Sequence, residues 1–198
     1  MTVKRTFDFL VALGGTIVLL PLFAVIALWI EIDSPGSILF AQTRIGKWGR
    51  PFKIYKFRTM VANAEALGKQ ITTADDSRIT RSGQFLRKYK LDELPQLLNV
   101  LKGDMSLVGP RPEVPQYVDL YTLEQRRVLN VRPGITDLAS LEFRNENDIL
   151  ARVENPEDVY IRDIMPRKLN LNLQYIACSS FLFDINLVFK TFVRVVAV

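Results

Sequence analysis

The architecture is decided by residues 11–30, which have the sequence VALGGTIVLLPLFAVIALWI and contain no charged side chain. A helix of about 20 apolar residues is long enough to cross the hydrocarbon core of a bilayer. A cleaved signal peptide fits poorly, because the run is long and no small-residue cleavage site follows it. The core helix of a soluble protein rarely stays apolar over such a length. The run therefore predicts a membrane-embedded helix.

Two features predict that this helix enters the membrane and returns rather than spanning it. Pro21 lies in its middle, where proline removes one backbone hydrogen bond and kinks the helix. Cations flank both ends, since two precede the run and residues 41–60 carry six cations and no acid. The positive-inside rule places both flanks on the cytoplasmic side. We expect residues 1–32 to form a re-entrant helical hairpin broken at Pro21, and a simple span is the alternative.

The C-terminal residues 181–198 carry a second amphipathic pattern. At 100° per residue, Asp184, Lys190 and Arg194 project away from a narrow apolar arc. The arc contains Leu182, Ile185, Phe189, Phe192 and Val196. This pattern is typical of a helix that lies in the membrane interface, with cations available to anionic lipid. A terminal helix docked on the protein's own core explains the pattern equally well.

Length and composition restrict the class of protein. The 198 residues fit a single domain, 1–198. Because the chain has no histidine and one cysteine, Cys178, it can form no His-based nucleophile pair, His-ligated metal or internal disulfide. A net charge of +5 would permit nucleic-acid binding, but no such motif is present. Anionic lipid and an anionic substrate explain the cations better, and we expect no nucleic-acid partner.

The middle of the chain predicts a helix-rich α+β fold. A short apolar segment, 37–42, and an alternating one, 52–57, are separated by a turn with two glycines and indicate a small β-hairpin. Helical patterns then dominate. They cover 61–70, 84–90, 93–102, 115–129 and 157–178.

The densest charged region is residues 87–101, with the sequence RKYKLDELPQLLNVL. Asp92 and Glu93 follow a run of cations, and Pro95 suits the first turn of a helix. Asp92 is therefore expected at or near a helix N-cap, and simple capping is one interpretation. A helix N-terminus is also an anion site, where a carboxylate beside a phosphate can act as a nucleophile. Two carboxylates near a phosphate also favour Mg²⁺.

A second motif follows in residues 103–112, with the sequence GDMSLVGPRP. Pro110 and Pro112 restrict the backbone on either side of Arg111, which would present a preorganised guanidinium. Arginine is the natural planar partner of phosphate oxygens. A rigid turn with an incidental arginine is the plain alternative.

Three strings carry a family resemblance: KFRTM at 56–60, DELPQLLNVL at 92–101, and GDMSLVGPRP at 103–112. They resemble the bacterial sugar transferases, monotopic polyprenyl-phosphate phosphoglycosyl transferases that start the assembly of surface glycans. The resemblance extends over nearly the whole chain. It implies transfer of a phosphosugar from a UDP-sugar to undecaprenyl phosphate, with release of UMP. It also implies a place at the bacterial inner membrane, with residues 33–180 as the cytoplasmic catalytic part.

The resemblance also assigns expected roles to residues. Asp92 would be the nucleophile that forms an aspartyl-phosphosugar, Glu93 would assist, and both would hold Mg²⁺. The proline break of the family's membrane helix matches Pro21. By motif position, the cations expected around the diphosphate are Lys56, Arg58, Arg87 and Arg111, with Arg44 and Arg144 as further candidates.

Two further interpretations remain for the chain, and one loop departs from the family pattern. A basic peripheral membrane scaffold without activity would use the same cations and apolar segments. A homodimer is one assembly that the sequence allows. Asp137 stands where many members of the family have glycine, which leaves the substrate contacts of that loop open.

Overall fold

The computed structural model describes residues 3–64, 76–143 and 146–196. The helices are α1 (Val3–Asp33), α2 (Arg81–Lys88), α3 (Gln96–Lys102), α4 (Pro115–Val118), α5 (Leu138–Glu142), α6 (Glu146–Leu150), α7 (Pro156–Val159), α8 (Met165–Cys178) and α9 (Phe181–Val196). The strands are β1 (Leu39–Ile45), β2 (Pro51–Phe57), β3 (Ser106–Val108) and β4 (Gly134–Thr136). The predicted class, α+β and helix-rich, is confirmed.

Helix α1 contains the whole apolar run and is long and apolar enough to cross a membrane. It continues through Pro21 as one helix, so the predicted interruption into two arms is not seen in the described backbone. A proline in a helix interior removes one N–H bond, and a long helix can absorb that loss by bending. Insertion into a membrane and return from it stay predictions.

The N-terminal part of α1 is fixed to the body of the protein by buried polar contacts. The Asp8 carboxylate accepts hydrogen bonds from the Ser106 hydroxyl at 2.7 Å and the Leu107 N–H at 3.3 Å. Lys4 forms an ion pair with Asp184 of α9. Strand β3 and helix α9 therefore hold this end of the helix.

The C-terminal end of α1 is fixed to the same body. The Asp33 carboxylate accepts hydrogen bonds from the backbone N–H and the hydroxyl of Ser82, at 2.9 and 2.8 Å. The Arg58 guanidinium donates to the carbonyls of Ser34 at 2.6 Å and Pro35 at 2.7 Å, just beyond the last turn. Both ends of α1 thus contact the globular part, and the helix lies along it.

The predicted β-hairpin is confirmed and is longer than expected. Strands β1 and β2 pair antiparallel, with Leu39 opposite Phe57 and Ile45 opposite Pro51. The turn contains Trp48 in the left-handed region at φ 61°.

A second sheet was not predicted, because each of its strands has only three residues. Strands β3 and β4 pair in parallel, with Ser106 opposite Gly134 and Val108 opposite Thr136. The chain approaches so closely here that a Cβ atom at Gly134 would lie 2.1 Å from the Gly109 nitrogen. The sheet places the loop after β3 beside the loop after β4.

Several predicted helices differ from the observed ones. The segment 84–90 belongs to α2, which begins earlier because the Thr80 hydroxyl accepts the Gly83 N–H at 3.0 Å as an N-cap. The segment 115–129 was predicted as one helix, which is wrong. It holds the single turn α4 and a 3₁₀ segment, Gln125–Asn130.

Of two other predicted helices, 157–178 is confirmed and 61–70 is not seen in its described part. The segment 157–178 is helical throughout, as α7, a π-helical segment (Tyr160–Ile164) and α8. The segment 61–70 falls mostly outside the described residues, and its first four residues form no helix.

Helix α9 combines both interpretations of the C-terminal pattern. Leu187 and Asp184 are buried against the core, as expected of a docked terminal helix. The four described side chains of the predicted apolar arc are exposed, as expected of an interfacial helix. They are Leu182, Ile185, Phe189 and Phe192.

Candidate active site

The two predicted carboxylates and the described predicted cations line one large cavity of about 1590 Å³. Its walls come from the β-hairpin, the segment before α3, the loop after β3, and helices α8 and α9. The predicted charged residues in its lining are Arg44, Lys56, Arg58, Arg87, Asp92, Glu93 and Arg111, and other charged residues line it as well.

Asp92 lies in a 3₁₀ turn, Leu91–Glu93, and not at the N-cap of a helix. Lys90 enters the turn in the left-handed conformation, and α3 begins only at Gln96, with Pro95 as its N-cap residue. Neither the turn nor α3 receives a side-chain cap. The Asp92 side chain is 7% exposed, and its Oδ1 has no hydrogen-bond partner among the described residues. The capping interpretation of Asp92 is therefore wrong.

Glu93 forms ion pairs with two cations, Lys56 and Arg111. Lys56 Nζ, on β2, lies 2.8 Å from its Oε1. The Arg111 guanidinium donates to both of its oxygens, with Nη1 3.1 Å from Oε2 and Nη2 on Oε1. Two of the cations predicted for the diphosphate are thus held by Glu93 in this arrangement.

The two adjacent carboxyls are in different electrostatic states. Burial, followed by the negative charge of Glu93, raises the pKa of Asp92. Burial also acts to raise the pKa of Glu93, but Arg111 and Lys56 together hold it well below its usual range. Glu93 is therefore the fixed anion of the pair, and Asp92 is the carboxyl that protonates first as the pH falls.

Arg87 and Arg44 also border the cavity. Arg87 Nε donates to the Thr59 hydroxyl at 2.8 Å, and burial lowers the pKa of Arg87 while the charge of Asp92 opposes that shift. Arg44 forms an ion pair with Glu113 at 2.8 Å, and both residues line the cavity. Both cations are positioned to contribute to an anion site.

One predicted cation, Arg58, is bonded to groups other than the two carboxylates. Arg58 lines the cavity, but its guanidinium donates to the carbonyls of Ser34 and Pro35 just beyond α1, so it fixes the end of that helix. Arg144 lies outside the described residues.

Asp137 has a positioning role that the sequence did not reveal. This fully buried carboxylate accepts the Arg111 N–H at 3.1 Å and the Ser140 N–H at 2.6 Å. It holds the backbone between Pro110 and Pro112, and it also caps α5. The sequence shows only that an aspartate follows β4. Its pairing with Arg111 could not be predicted, because the two residues are 26 positions apart.

Asn99 is a second positioning residue that sequence analysis missed. Its side-chain amide donates to the Lys53 carbonyl at 2.7 Å, and its oxygen accepts the Tyr55 N–H at 3.0 Å. These bonds fix α3 on β2 and set Lys56 opposite Glu93. Asparagine is a poor helix former, so its presence within a helical segment was the only sequence sign that its side chain has another role.

Comparison with known proteins identifies the family. The family model described as bacterial sugar transferase matches residues 1–198. The chain belongs to the bacterial sugar transferase family.

Curated relatives of the chain are named as undecaprenyl-phosphate sugar phosphotransferases. The chain is 39% identical over 194 residues to a UDP-N-acetylgalactosamine-undecaprenyl-phosphate N-acetylgalactosaminephosphotransferase of Aeromonas hydrophila, covering 96% of this chain and 42% of the relative. It is 37% identical to the UDP-glucose:undecaprenyl-phosphate glucose-1-phosphate transferase of Escherichia coli K12, covering 95% and 39%. A putative undecaprenyl-phosphate N-acetylgalactosaminyl 1-phosphate transferase of Bacillus subtilis is 45% identical, with 75% and 79% covered. The chain thus spans less than half of the first two relatives.

The two carboxylates fit the predicted magnesium site in part. Among the described residues, no group of three Asp, Glu or Cys side chains is arranged to hold a metal. Mg²⁺ is commonly bound by one or two carboxylates together with substrate phosphates. The unpartnered Asp92 Oδ1 suits that mode, whereas Lys56 and Arg111 occupy both oxygens of Glu93.

Proposed function

We propose that this chain transfers a sugar 1-phosphate from a UDP-sugar to undecaprenyl phosphate and releases UMP. Membership of the family and the printed names of its relatives support the reaction class. The observation that carries the proposal is the Asp92–Glu93 pair. Asp92, whose Oδ1 has no hydrogen-bond partner among the described residues, lies beside a carboxylate that two cations hold ionised, in a cavity of about 1590 Å³.

The proposed reaction has two displacements at one phosphorus. An Asp92 oxygen forms a bond to the sugar-linked β-phosphorus as the bond from that phosphorus to the bridging oxygen breaks, and UMP leaves with the electron pair. An oxygen of undecaprenyl phosphate then attacks the same phosphorus and releases the Asp92 carboxylate. Dividing the transfer in this way lets two large substrates use one carboxylate in turn.

The neighbouring residues prepare this attack. Arg111 and Lys56 are held by Glu93 within reach of an incoming diphosphate, and Asp137 fixes the backbone of Arg111. Charges that are already oriented need no reorganisation when negative charge develops. Mg²⁺ held by Asp92 and the substrate phosphates would supply further charge neutralisation.

The environment of α1 supports a monotopic position at the cytoplasmic face of the inner membrane. Both ends of α1 contact the globular part, as a re-entrant element requires and a simple span does not. Only 11% of its apolar window is buried, which leaves a broad apolar face for lipid. The exposed arc of α9 adds a second lipid-facing surface.

A screen for UMP release over several UDP-sugars, with Mg²⁺ and undecaprenyl phosphate, tests the proposal. Wild-type protein should release UMP with at least one sugar, whereas a scaffold would release none. Asp92→Asn should fold normally and lose turnover, while Asp119→Asn, at an exposed aspartate, should remain active.

Mass spectrometry tests the covalent step. Wild-type protein incubated with the UDP-sugar alone should gain the mass of a sugar phosphate, and Asp92→Asn should gain none. Near-normal turnover by Asp92→Asn would rule out its role as nucleophile. Ternary-complex kinetics without an adduct would instead indicate direct attack by the lipid phosphate.

A further inference from the structure

Thr59 lies in the loop after β2, beside the residues that lead into α2. Its carbonyl accepts the Thr80 N–H at 3.0 Å, and the Val61 N–H donates to the Arg78 carbonyl at 2.9 Å. The Thr59 side chain is 7% exposed and borders the cavity. Backbone hydrogen bonds therefore fix this threonine at the edge of the site.

Gly83 allows α2 to approach this loop closely. A Cβ atom at Gly83 would lie 2.1 Å from the Thr59 carbonyl oxygen, so any larger residue there would push the helix away. Arg87 follows Gly83 by about one helical turn and lies on the same face of α2. Its Nε donates to the Thr59 hydroxyl at 2.8 Å. The close approach of the helix thus brings the Arg87 side chain within reach of that hydroxyl.

Four of the cations predicted for the diphosphate already have protein partners at their terminal nitrogens. Both terminal nitrogens of Arg111 donate to Glu93, and Lys56 pairs with the same carboxylate. The terminal nitrogens of Arg44 and Arg58 also donate to protein oxygens. Each of these groups must share or exchange a bond in order to bind a phosphate.

The Arg87 guanidinium is arranged differently. Within the described residues its hydrogen bond is the one from Nε to Thr59, and its two terminal nitrogens have no protein partner there. Arg87 lines the cavity, where burial lowers its pKa and the charge of Asp92 is the largest influence that opposes this shift. A guanidinium held by Nε presents its terminal nitrogens as a planar fork, which matches two oxygens of a phosphate.

We infer that Thr59 is a positioning residue, whose hydroxyl holds Arg87 by Nε and turns the fork of the guanidinium toward the diphosphate of the UDP-sugar. The inference rests on the proposed function and adds the residue that orients one of its cations. It follows from the bond between Arg87 and Thr59, the packing of Gly83 on the Thr59 backbone, and the terminal nitrogens left without a described partner. A side chain oriented before the substrate arrives loses less conformational entropy on binding.

Binding of UDP to the full-length protein in detergent tests this role without turnover, by isothermal titration calorimetry. Thr59→Val keeps the shape of the side chain but removes the hydroxyl, and it should raise the Kd for UDP by about tenfold. Thr59→Ser restores a hydroxyl and should recover most of the affinity. Equal losses in the two variants would overturn the positioning role, because the hydroxyl would then not be the group that matters.

A double-mutant cycle separates an effect that passes through Arg87 from direct contact between Thr59 and the ligand. Arg87→Met removes the guanidinium and should itself weaken UDP binding by about tenfold. Adding Thr59→Val in that background should change the Kd by less than about twofold, because residues that act as a unit are not additive. A further tenfold loss in the double variant would show that Thr59 acts independently of Arg87, and would overturn the inference.

Thr136→Val is the matched control, because Thr136 is also 7% exposed and lines the cavity, whereas its hydroxyl bonds that of Thr191 at 2.6 Å. It should leave the Kd for UDP within about twofold, and a loss equal to that of Thr59→Val would overturn the assignment. Absence of UMP release by wild-type protein would overturn the proposed function and leave the UDP cycle to decide the role of Thr59. Wild-type protein that binds no UDP would overturn the inference itself.

Discussion

Arg111 is one of the two cations paired with Glu93, and its guanidinium is therefore held in one orientation beside the carboxylate pair. Arg111 donates through two nitrogens to Glu93 and is fixed through its backbone by Asp137. Arg111→Gln should lower kcat/KM for the UDP-sugar by about a hundredfold, as expected for loss of one preorganised donor to developing charge. The measurement is the initial rate of UMP release.

Lys47 provides the control for Arg111. Its ammonium lies 4.7 Å from the Trp48 ring at the tip of the hairpin, and it does not line the cavity. Lys47→Gln should stay within about twofold of wild type, because exposed charges contribute little. Equal losses in the two variants would show that Arg111 acts only through net charge.

The charge of Lys56 should control the acidic side of the pH profile. Its positive charge lowers the pKa of Asp92 and of Glu93, while burial raises both. The nucleophile must be ionised, so activity falls as the pH drops through the pKa of Asp92. Lys56→Met removes the charge and should move this acidic limb to higher pH. The measurement is kcat/KM for the UDP-sugar as a function of pH.

Lys102→Met is the control for the pH experiment. Lys102 is exposed and donates to the Tyr55 hydroxyl at 2.7 Å, away from the carboxylate pair. Its loss should leave the acidic limb in place. A limb that does not move in Lys56→Met would mean that a group other than Asp92 limits activity at low pH.

The sequence located the charged residues of the site better than their partners. Asp92, Glu93, Lys56 and Arg111 could be selected from local motifs, and the fold brings them together. The pairing of Glu93 with two cations was not predictable, because β2 and the loop after β3 are remote in sequence. For the same reason, nothing local indicated that the Arg58 guanidinium turns to the end of α1.

At the scale of elements, the attachment of α1 is the contact most open to test. Asp8 accepts two hydrogen bonds from buried donors of β3. Asp8→Ala would leave the Ser106 hydroxyl and the Leu107 N–H without a partner, at a cost of about 1–3 kcal/mol for each. We expect a clear fall in the unfolding temperature in detergent, measured by the intrinsic fluorescence of tryptophan.

Glu31→Ala is the matched control, because Glu31 is an exposed carboxylate on the same helix. It should unfold at nearly the wild-type temperature. If Asp8→Ala unfolded at the same temperature, the hydrogen bonds of Asp8 would contribute nothing measurable to the attachment of α1.

Element boundaries were predictable where the pattern was long and failed where it was short. Twenty apolar residues leave no doubt about α1, and the alternation around 52–57 identifies β2. Strands β3 and β4 have three residues each, which is too short for an alternating pattern to be recognised. They are strands because they pair with each other across the fold, and the sequence does not show that pairing. The segment 115–129 has helical spacing, yet only its first turn is α-helical.

At the scale of the whole molecule, the prediction to test is that both flanks of α1 lie on one side of the membrane. The polar contacts of Asp8 and Asp33 attach both ends of the helix to one body. Cysteines are introduced by Thr2→Cys or Arg50→Cys in a Cys178→Ala background, since Cys178 is exposed. Both should resist an impermeant thiol reagent on intact cells and react after lysis, as a cytoplasmic location requires.

Pro21→Ala adds a second arm to this topological test. Restoring the backbone N–H and removing the ring favours a straighter helix, which should shift part of the population toward a spanning form. In that background the residue 2 cysteine should become labelled on intact cells, while the one at residue 50 stays protected. A periplasmic cysteine protein labelled in the same cells controls for reagent access. Labelling at residue 2 alone in the protein with Pro21 intact would show that α1 spans the membrane, and the polar contacts at its N-terminal end would then have to break on insertion.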